Sequence, residues 1–219
     1  MKTLFVYMPK CAGSSMKEIL ERKKLTMTFD YGSFCRVPQS RRPQKILKYL
    51  ISPYQLDPSS FVFGHYYPVK YLGSINERKP NDIRLITFLR DPIQRLASHY
   101  NYWLATNTSK HFLWKRMKKE EWSFTRFALE PEMKNFYSQH LTQVPITAFD
   151  FFGIHENIAR DWKRLCKFLE LDYEELPHSN AMPNQVLESM PQEIIDEIRD
   201  FHAEDYMIYN YARHASQAN

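Results

Sequence analysis

The chain has 219 residues, and its 30 lysines and arginines against 25 aspartates and glutamates give a formal net charge of +5. Apolar residues make up 43% of the sequence and aromatic residues 15%, so the chain can bury a large core and global disorder is excluded. Five residues are glycine, where average usage would give roughly fifteen, which excludes flexible-linker and collagen-like architectures. The length predicts a single domain over residues 1–219.

Apolar runs typical of strands alternate with helical periodicities along the chain. In chain order we predict a strand at Thr3–Met8, a helix at Met16–Lys24, an irregular stretch over 27–43, a helix at Lys45–Ile51, strands at Ser60–Phe63 and Ile83–Leu89, a helix at Ile93–Leu104, helical structure over 111–141, a strand at Phe149–Gly153, and helices at Asn157–Leu169, Gln192–Phe201 and 202–211. This alternation predicts the α/β class, as a P-loop-like open parallel sheet flanked by helices, with a helical C-terminal part.

The three cysteines, Cys11, Cys35 and Cys166, are an odd number at irregular spacing. They match neither a disulfide framework nor a zinc pattern, which indicates a reducing compartment and no bound metal. The apolar stretch at the N-terminus is too short for a secretory signal, and no apolar run is long enough to span a membrane. We therefore expect a soluble, cytoplasmic protein.

The segment after the first strand has the layout of a phosphate cradle. A loop that enters a helix directs free backbone N–H groups and the positive end of the helix dipole at an anion. The residues of this loop are Pro9-Lys10-Cys11-Ala12-Gly13-Ser14-Ser15. Gly13 permits close approach of the backbone, the serines add hydroxyls, and Lys10 adds a point charge. The loop is not a Walker A motif, because its lysine precedes the glycine; alternatively, it is an ordinary strand–helix turn with a surface lysine.

A second motif follows the strand at Ile83–Leu89. Arg90 stands at the carboxyl end of that strand, where ligands of open α/β sheets bind. Asp91 and Pro92 are suited to the first turn of the next helix, in which Ser98 follows Arg90 by eight positions. An arginine fork and a hydroxyl together suit a terminal phosphate. The alternative is that Arg90 and Asp91 form a structural ion pair that caps the helix.

Taken together, strand-PKxxGSS-helix and strand-LRDPxxRLxSxY resemble the sulfotransferases that use 3′-phosphoadenosine-5′-phosphosulfate (PAPS). The chain looks closest to carbohydrate sulfotransferases related to heparan sulfate 2-O-sulfotransferase. The resemblance implies that the first loop binds the 5′-phosphosulfate and that Arg90 and Ser98 bind the 3′-phosphate. The implied cofactor-binding residues are Lys10, Cys11, Ala12, Gly13, Ser14, Ser15, Met16, Arg90 and Ser98.

The resemblance also implies the reaction, in which the sulfuryl group of PAPS moves in line to a hydroxyl acceptor, with a carbohydrate as the expected class. Lys10 is the candidate that neutralises charge on the leaving group, so no metal is required. His65 follows Gly64 at the end of a predicted strand and resembles the catalytic histidine of related polysaccharide sulfotransferases. An imidazole there can accept the acceptor's proton. His140 is the reserve candidate for the base, and a purely structural, hydrogen-bonded His65 is the alternative.

The remaining histidines and Cys11 carry weaker expectations. His99 could face either side of its helix, and Cys11 is expected to be a buried small residue rather than a nucleophile. Four histidines are expected to be solvated: His111, His178, His202 and His214.

Two basic clusters could contact an anionic glycan or could be solvated helix faces. One contains Lys115, Arg116, Lys118 and Lys119 with Trp114 and Trp122, and the other contains Arg36, Arg41, Arg42, Lys45 and Lys48. No nucleic-acid-binding motif is present. The alternative function is therefore a non-catalytic basic module that binds polyanions on a sulfotransferase-like fold. A kinase with a variant P-loop is disfavoured by the position of the lysine.

Overall fold

A parallel five-stranded sheet is the centre of the computed structural model, which describes residues 1–23, 25–31, 38–58, 60–75, 79–177 and 185–218. The strands are β1 (Lys2–Tyr7), β2 (Met27–Asp30), β3 (Phe61–Gly64), β4 (Ile83–Leu89) and β5 (Phe151–Ile154). Their order across the sheet is β2-β3-β1-β4-β5, and every pairing is parallel. This architecture confirms the predicted α/β class.

Helices cover the sheet and extend the C-terminal part of the chain. Their bounds are α1 (Gly13–Arg22), α2 (Arg42–Ile51), α3 (Val69–Leu72), α4 (Pro92–Ala105), α5 (Phe112–Lys119), α6 (Phe124–Ala128), α7 (Phe136–Leu141), α8 (Ile158–Phe168), α9 (Gln185–Glu188), α10 (Gln192–Phe201) and α11 (Ala203–Ala218). Short 3-10 turns lie at Gln39–Arg41, Pro131–Met133, Ile146–Ala148 and His155–Asn157. Within the described ranges, no helix has both the length and the apolar character needed to cross a bilayer.

The central strands are apolar along almost their whole length because helices cover both faces of the sheet. In β1, Leu4, Phe5 and Val6 are fully buried, and every residue of β3 is buried. A second apolar core, separate from the sheet, joins α4 to α5, α6 and α10 through Trp103, Phe127 and Ile198. The other residues of α4 in this second core are Ile93, Leu96, Ala97 and Tyr100.

The register places the carboxyl ends of four strands at one edge of the sheet. Tyr7 lies opposite Phe88, and Leu89 lies opposite Ile154, while β3 ends at Gly64, opposite Val6 of β1. After β3 the chain crosses to the far side of β1, so the switch of strand order falls between β1 and β4. Such a crevice is the usual ligand site of open α/β sheets.

The structure differs from the sequence prediction at the sheet edge. Residues 27–43 are predicted to be irregular, but Met27–Asp30 forms the edge strand β2. Its sequence signal is weak because its two central residues are exposed and Asp30 is its buried end. The helix α2 begins at Arg42, earlier than predicted, with Pro43 in its first turn. Gly32, Cys35 and Arg36 lie outside the described residues.

The predicted helical stretch over 111–141 is interrupted rather than continuous. Ser123 caps α6 by accepting a hydrogen bond from the N–H of Arg126 at 3.2 Å, and a 3-10 turn starts at Pro131. These breaks divide the stretch into α5, α6 and α7, and Leu113 of α5 and Phe136 of α7 line a cavity beside the sheet edge.

Candidate active site

The segment 9–15, named here the Lys10 loop, has a strained backbone that turns its N–H groups to one side. Lys10 and Ala12 both adopt left-handed conformations, with φ of 69° and 63°. Left-handed residues in a turn bring successive N–H groups into a concave anion-binding nest. No side chain caps α1, so its first N–H groups are directed into the same loop.

Tyr7, the last residue of β1, packs against the Lys10 loop at Gly13. Burial raises the pKa of the Tyr7 phenol, and hydrogen bonds from the backbone of Gly13 and Lys10 partly oppose that rise. The ring of Tyr7 also occupies the space where a Cβ on Gly13 would stand, so a glycine is required at this position.

Lys10 and Arg90, predicted from two separate motifs, are brought together. The Arg90 Nη1 atom lies 3.5 Å from the Lys10 carbonyl oxygen. Burial and the nearby Arg90 charge lower the pKa of the Lys10 ammonium. The Lys10 Nζ atom lies 4.2 Å from the ring centroid of Tyr102, a position that compensates its partial desolvation.

Tyr137 holds the backbone of Arg90 at the end of β4. Its hydroxyl donates to the Arg90 carbonyl at 2.7 Å and accepts from the Arg90 N–H at 3.1 Å. The Arg90 Nε atom is buried and has no hydrogen-bond partner among the described residues. A buried guanidinium donor without a partner fits an anionic ligand at this edge.

Asp91 is the N-cap of helix α4. Its side chain accepts from the N–H of Gln94 at 3.1 Å, and its own N–H donates to Glu156 at 3.0 Å. The predicted N-cap is therefore confirmed. Among the described residues Arg90 and Asp91 form no ion pair, so the ion-pair alternative is not supported.

The other implied cofactor residues occupy different environments. Ser14 is exposed, whereas the Ser15 hydroxyl is buried and donates to the Pro177 carbonyl at 3.1 Å. Met16 is fully buried, so only its backbone could face a ligand. Ser98 is half-buried in α4, and its hydroxyl has no partner within the described parts of the chain.

Cys11 is confirmed as a buried small residue. Its side chain is fully buried, with Sγ 3.8 Å from the Tyr137 hydroxyl. Burial raises the pKa of the Cys11 thiol to about 12, so it stays protonated and unreactive at neutral pH.

His65 is oriented by Tyr7 through two contacts. Its Nδ1 atom lies 2.7 Å from the Tyr7 carbonyl oxygen, and the two rings stack with centroids 4.4 Å apart. Since a carbonyl only accepts, Nδ1 carries the proton and Nε2 carries the lone pair. Burial lowers the pKa of His65 to about 4, so the imidazole is neutral at neutral pH. This state is the one a general base requires.

The structure separates the other histidines into buried and exposed groups. His140 is fully buried, stacked at 5.4 Å on Tyr67. The prediction that His202 is solvated is wrong: it is fully buried, accepting from the Asn135 N–H at 3.1 Å and donating to the Ala128 carbonyl at 2.8 Å. His214 is exposed as predicted, and His178 lies outside the described residues.

A cavity of about 660 Å³ opens beside His65 and the first residue of the Lys10 loop. Its described wall consists of Pro9, Tyr31, Arg42, His65, His99, Trp103, Thr108, Ser109, Lys110, His111, Leu113, Glu132, Met133 and Phe136. Arg42 and Glu132 form a partly buried ion pair in this wall, with Nη2 and Oε2 3.2 Å apart, and the Arg42 Nη1 atom donates to Gln139 Oε1. His111, predicted to be solvated, is half-buried here and caps α5 by accepting from the Leu113 N–H at 3.2 Å.

Sequence reasoning missed Tyr7, Tyr102 and Tyr137 as parts of the site. Nothing in the sequence separates them from the other tyrosines, of which the chain has 14 in all. Glu132 was missed as well, because its partner Arg42 is remote in the chain. Only the fold brings these residues to the edge.

Comparison with known proteins identifies a family and several solved structures that this chain is similar to. A model of the sulfotransferase family matches residues 1–212. Among solved structures, a sulfotransferase from Alicyclobacillus acidocaldarius aligns with 98% of this chain and 96% of its own, at 15% identity and a TM-score of 0.48. A mouse sulfotransferase complexed with PAP aligns with 97% of this chain and 88% of its own, at 12% identity and a TM-score of 0.44. Retinol dehydratase in a complex with retinol and PAP aligns with 94% of this chain and 82% of its own, at 12% identity and a TM-score of 0.38. No curated protein sequence matches the chain significantly.

Proposed function

Because the chain belongs to the sulfotransferase family, whose model matches residues 1–212, we propose that it transfers the sulfuryl group of PAPS to a hydroxyl group of a carbohydrate. The observation that carries the proposal is the contact between the Arg90 guanidinium and the Lys10 carbonyl, 3.5 Å apart. It joins the two motifs of the resemblance into one cationic crevice between β1 and β4.

The crevice is suited to a donor with phosphate groups at both ends. The N–H groups of the Lys10 loop and of the first turn of α1 would hold the phosphosulfate. Arg90, whose Nε atom is a buried donor without a described partner, would hold the 3′-phosphate together with Ser98. Cys11 and Met16, both fully buried, would contribute backbone alone.

When bound, PAPS supplies an activated sulfuryl group and a phosphate leaving group. Lys10 would neutralise the charge that develops on the leaving oxygen, and its present contact with Tyr102 keeps the ammonium beside the loop. His65 would take the proton of the acceptor hydroxyl at Nε2, because Nδ1 is committed to the Tyr7 carbonyl. His140 is disfavoured as the base, since it is fully buried and is not part of the described cavity wall.

Calorimetric titration with adenosine 3′,5′-bisphosphate (PAP) tests the donor site without any turnover. We expect Lys10→Ala and Arg90→Ala each to raise the Kd of PAP at least about tenfold, because each removes a charge-assisted contact. Lys115→Ala is the matched control, since Lys115 is an exposed cation on α5. Unchanged PAP affinity in both site variants would remove the basis of the proposed donor site.

A further inference from the structure

The cavity beside His65 has a wall whose chemistry selects the acceptor. Resting on the proposed function, we propose that this cavity binds an uncharged, polyhydroxylated ring compound of one or two sugar units, and that the Arg42–Glu132 pair determines this preference. The proposal excludes an anionic polysaccharide as the acceptor.

The size and position of the cavity suit a compact acceptor. Its volume of about 660 Å³ falls within the range of roughly 300–1,000 Å³ that small-molecule sites occupy. His65 and Pro9 both line it, so a ligand there lies between the proposed base and the Lys10 loop.

Glu132 places a carboxylate in the wall, where it accepts from Arg42, and because a carboxylate has several acceptor positions a ligand hydroxyl can donate to it as well. Its side chain is 19% exposed and that of Arg42 is 8% exposed, with the ion pair at 3.2 Å. A hydroxyl both donates and accepts, so neighbouring hydroxyls of a sugar can bond to the carboxylate and the guanidinium together. A sulfate or carboxylate on the ligand only accepts, so it cannot donate to Glu132, and the paired Arg42 offers it no uncompensated positive charge.

Aromatic faces complete the site. Tyr31, Trp103 and Phe136 line the cavity, and the Trp103 ring lies 4.6 Å from His99 and 4.9 Å from His111. Flat apolar faces beside a charged, hydrogen-bonding pair suit a ring that has C–H groups on its faces and hydroxyls on its edge. A purely apolar ring would leave the Arg42–Glu132 pair desolvated and unmatched.

Among the described residues, the basic cluster around Trp114 and Trp122 contributes no lysine or arginine to this wall. Arg116 is engaged with Glu120 at 3.5 Å and Glu130 at 3.7 Å, and Lys118 donates to the Leu104 carbonyl at 2.7 Å. Within the part of the chain that the structure describes, Arg42 and Lys110 are the lysine or arginine residues in the wall. Since Arg42 is paired with Glu132, only Lys110 adds an excess positive charge.

Transfer of labelled sulfate from PAPS is measured with three kinds of acceptor: methyl glucoside and lactose, the anionic polymers heparosan and chondroitin, and β-naphthol. We expect sulfation of the neutral sugars and at least tenfold lower kcat/KM for the other acceptors. Transfer that favours an anionic polymer or naphthol would overturn the inference. Normal PAP binding with no transfer to either sugar would also overturn it while leaving the donor site intact, whereas loss of PAP binding would contradict the proposed function itself.

Glu132→Gln keeps the shape of the wall and removes its negative charge. We expect the KM for lactose to rise about tenfold while the Kd of PAP stays unchanged. The saturation-transfer NMR signal of lactose, measured with PAP bound, should weaken in parallel. Tyr31→Leu, at a residue 46% exposed, is a second wall variant with the same expected direction. Glu120→Gln is the matched control, since it alters an arginine-paired glutamate outside the wall. An unchanged KM for lactose in both wall variants would contradict the assignment.

Discussion

Tyr7 contacts both the Lys10 loop and the proposed base His65, through its ring, its hydroxyl and its carbonyl. Its ring fills the space above Gly13 and stacks on His65, its hydroxyl interacts with the loop backbone, and its carbonyl accepts from the imidazole. Gly13 was predicted from the needs of an approaching anion. The structure adds a second reason for glycine there, the contact with the Tyr7 ring.

At the residue scale, His65→Ala should retain PAP binding and lower the turnover by about 100-fold or more, because general base catalysis contributes on the order of 10²–10⁴. His214→Ala, at an exposed histidine of α11, is the matched control and should behave as the unaltered chain. Near-normal turnover of His65→Ala would move the proton transfer to another group.

The pH profile tests the same residue independently. Burial lowers the pKa of His65 to about 4, so the neutral, proton-accepting form predominates at all pH values well above 4. We therefore expect kcat/KM to show no inflection near 6.5, the ordinary histidine value. Intrinsic fluorescence at each pH separates loss of the base from loss of the fold. An inflection near 6.5 that disappears in His65→Ala would contradict the buried state described for this residue.

At the scale of elements, the crevice depends on contacts between helices and strand ends that are remote in sequence. Asp205 of α11 accepts from the N–H groups of Tyr137 at 2.7 Å and Ser138 at 3.0 Å, and so caps α7 from another helix. Burial raises the pKa of Asp205 to about 7, which the nearby Arg95 opposes. Arg95 is itself fully buried, with its guanidinium 4.5 Å from the Phe136 ring centroid. These contacts hold α7 so that Tyr137 reaches β4.

Tyr137→Phe should weaken this link while keeping the ring. It removes the hydroxyl that bonds to both backbone groups of Arg90, so we expect the free energy of unfolding to fall by about 1–2 kcal/mol. The Kd of PAP should rise severalfold, because Arg90 loses its fixed position. Chemical denaturation and calorimetry measure the two effects. Tyr173→Phe, at a half-exposed tyrosine, is the control. Wild-type PAP affinity in Tyr137→Phe would show that Tyr137 does not position Arg90.

At the scale of the whole molecule, the number of buried neutral histidines determines how stability depends on pH. Burial lowers the pKa of His65, His155 and His202 to about 4, and that of His99 and His140 well below the ordinary value. In the unfolded chain these groups titrate near 6.5. The unfolded chain therefore binds more protons between about pH 4 and 6.5, and stability falls as the pH is lowered through that range.

We expect the Tm to be highest above about pH 6.5 and to decrease steeply below it. Each of these histidines contributes up to about 1.4 kcal/mol per pH unit. Asp205 and Asp91 act in the opposite sense, because their raised pKa values make the folded chain the better proton binder above the ordinary aspartate value, for Asp205 up to about 7. Two opposing groups do not cancel five. Differential scanning fluorimetry between pH 4.5 and 7.5 measures the effect, and a Tm that is constant or rises on acidification would contradict it.

The sequence alone predicts the central strands, because β1, β3 and β4 are mostly apolar runs whose pattern does not depend on their neighbours. It also predicts α4, whose start is marked by Asp91 and Pro92. The edge strand β2 and the short helices between 111 and 141 are predicted poorly. Their conformation depends on pairing with β3 and on packing around α4, and such contacts leave little local pattern.

What the sequence by itself determines is the local chemistry of the site: a loop that enters a helix with a lysine, and an arginine at a strand end. Each arises from residues close in the chain, so their spacing is enough to recognise them. Only the tertiary structure decides that Lys10 and Arg90 meet, that Tyr7 orients His65, and that Arg42 and Glu132 pair in the cavity wall. The physical reason is that parallel pairing aligns the carboxyl ends of strands far apart in sequence, and burial there changes the protonation of groups whose identity is already fixed.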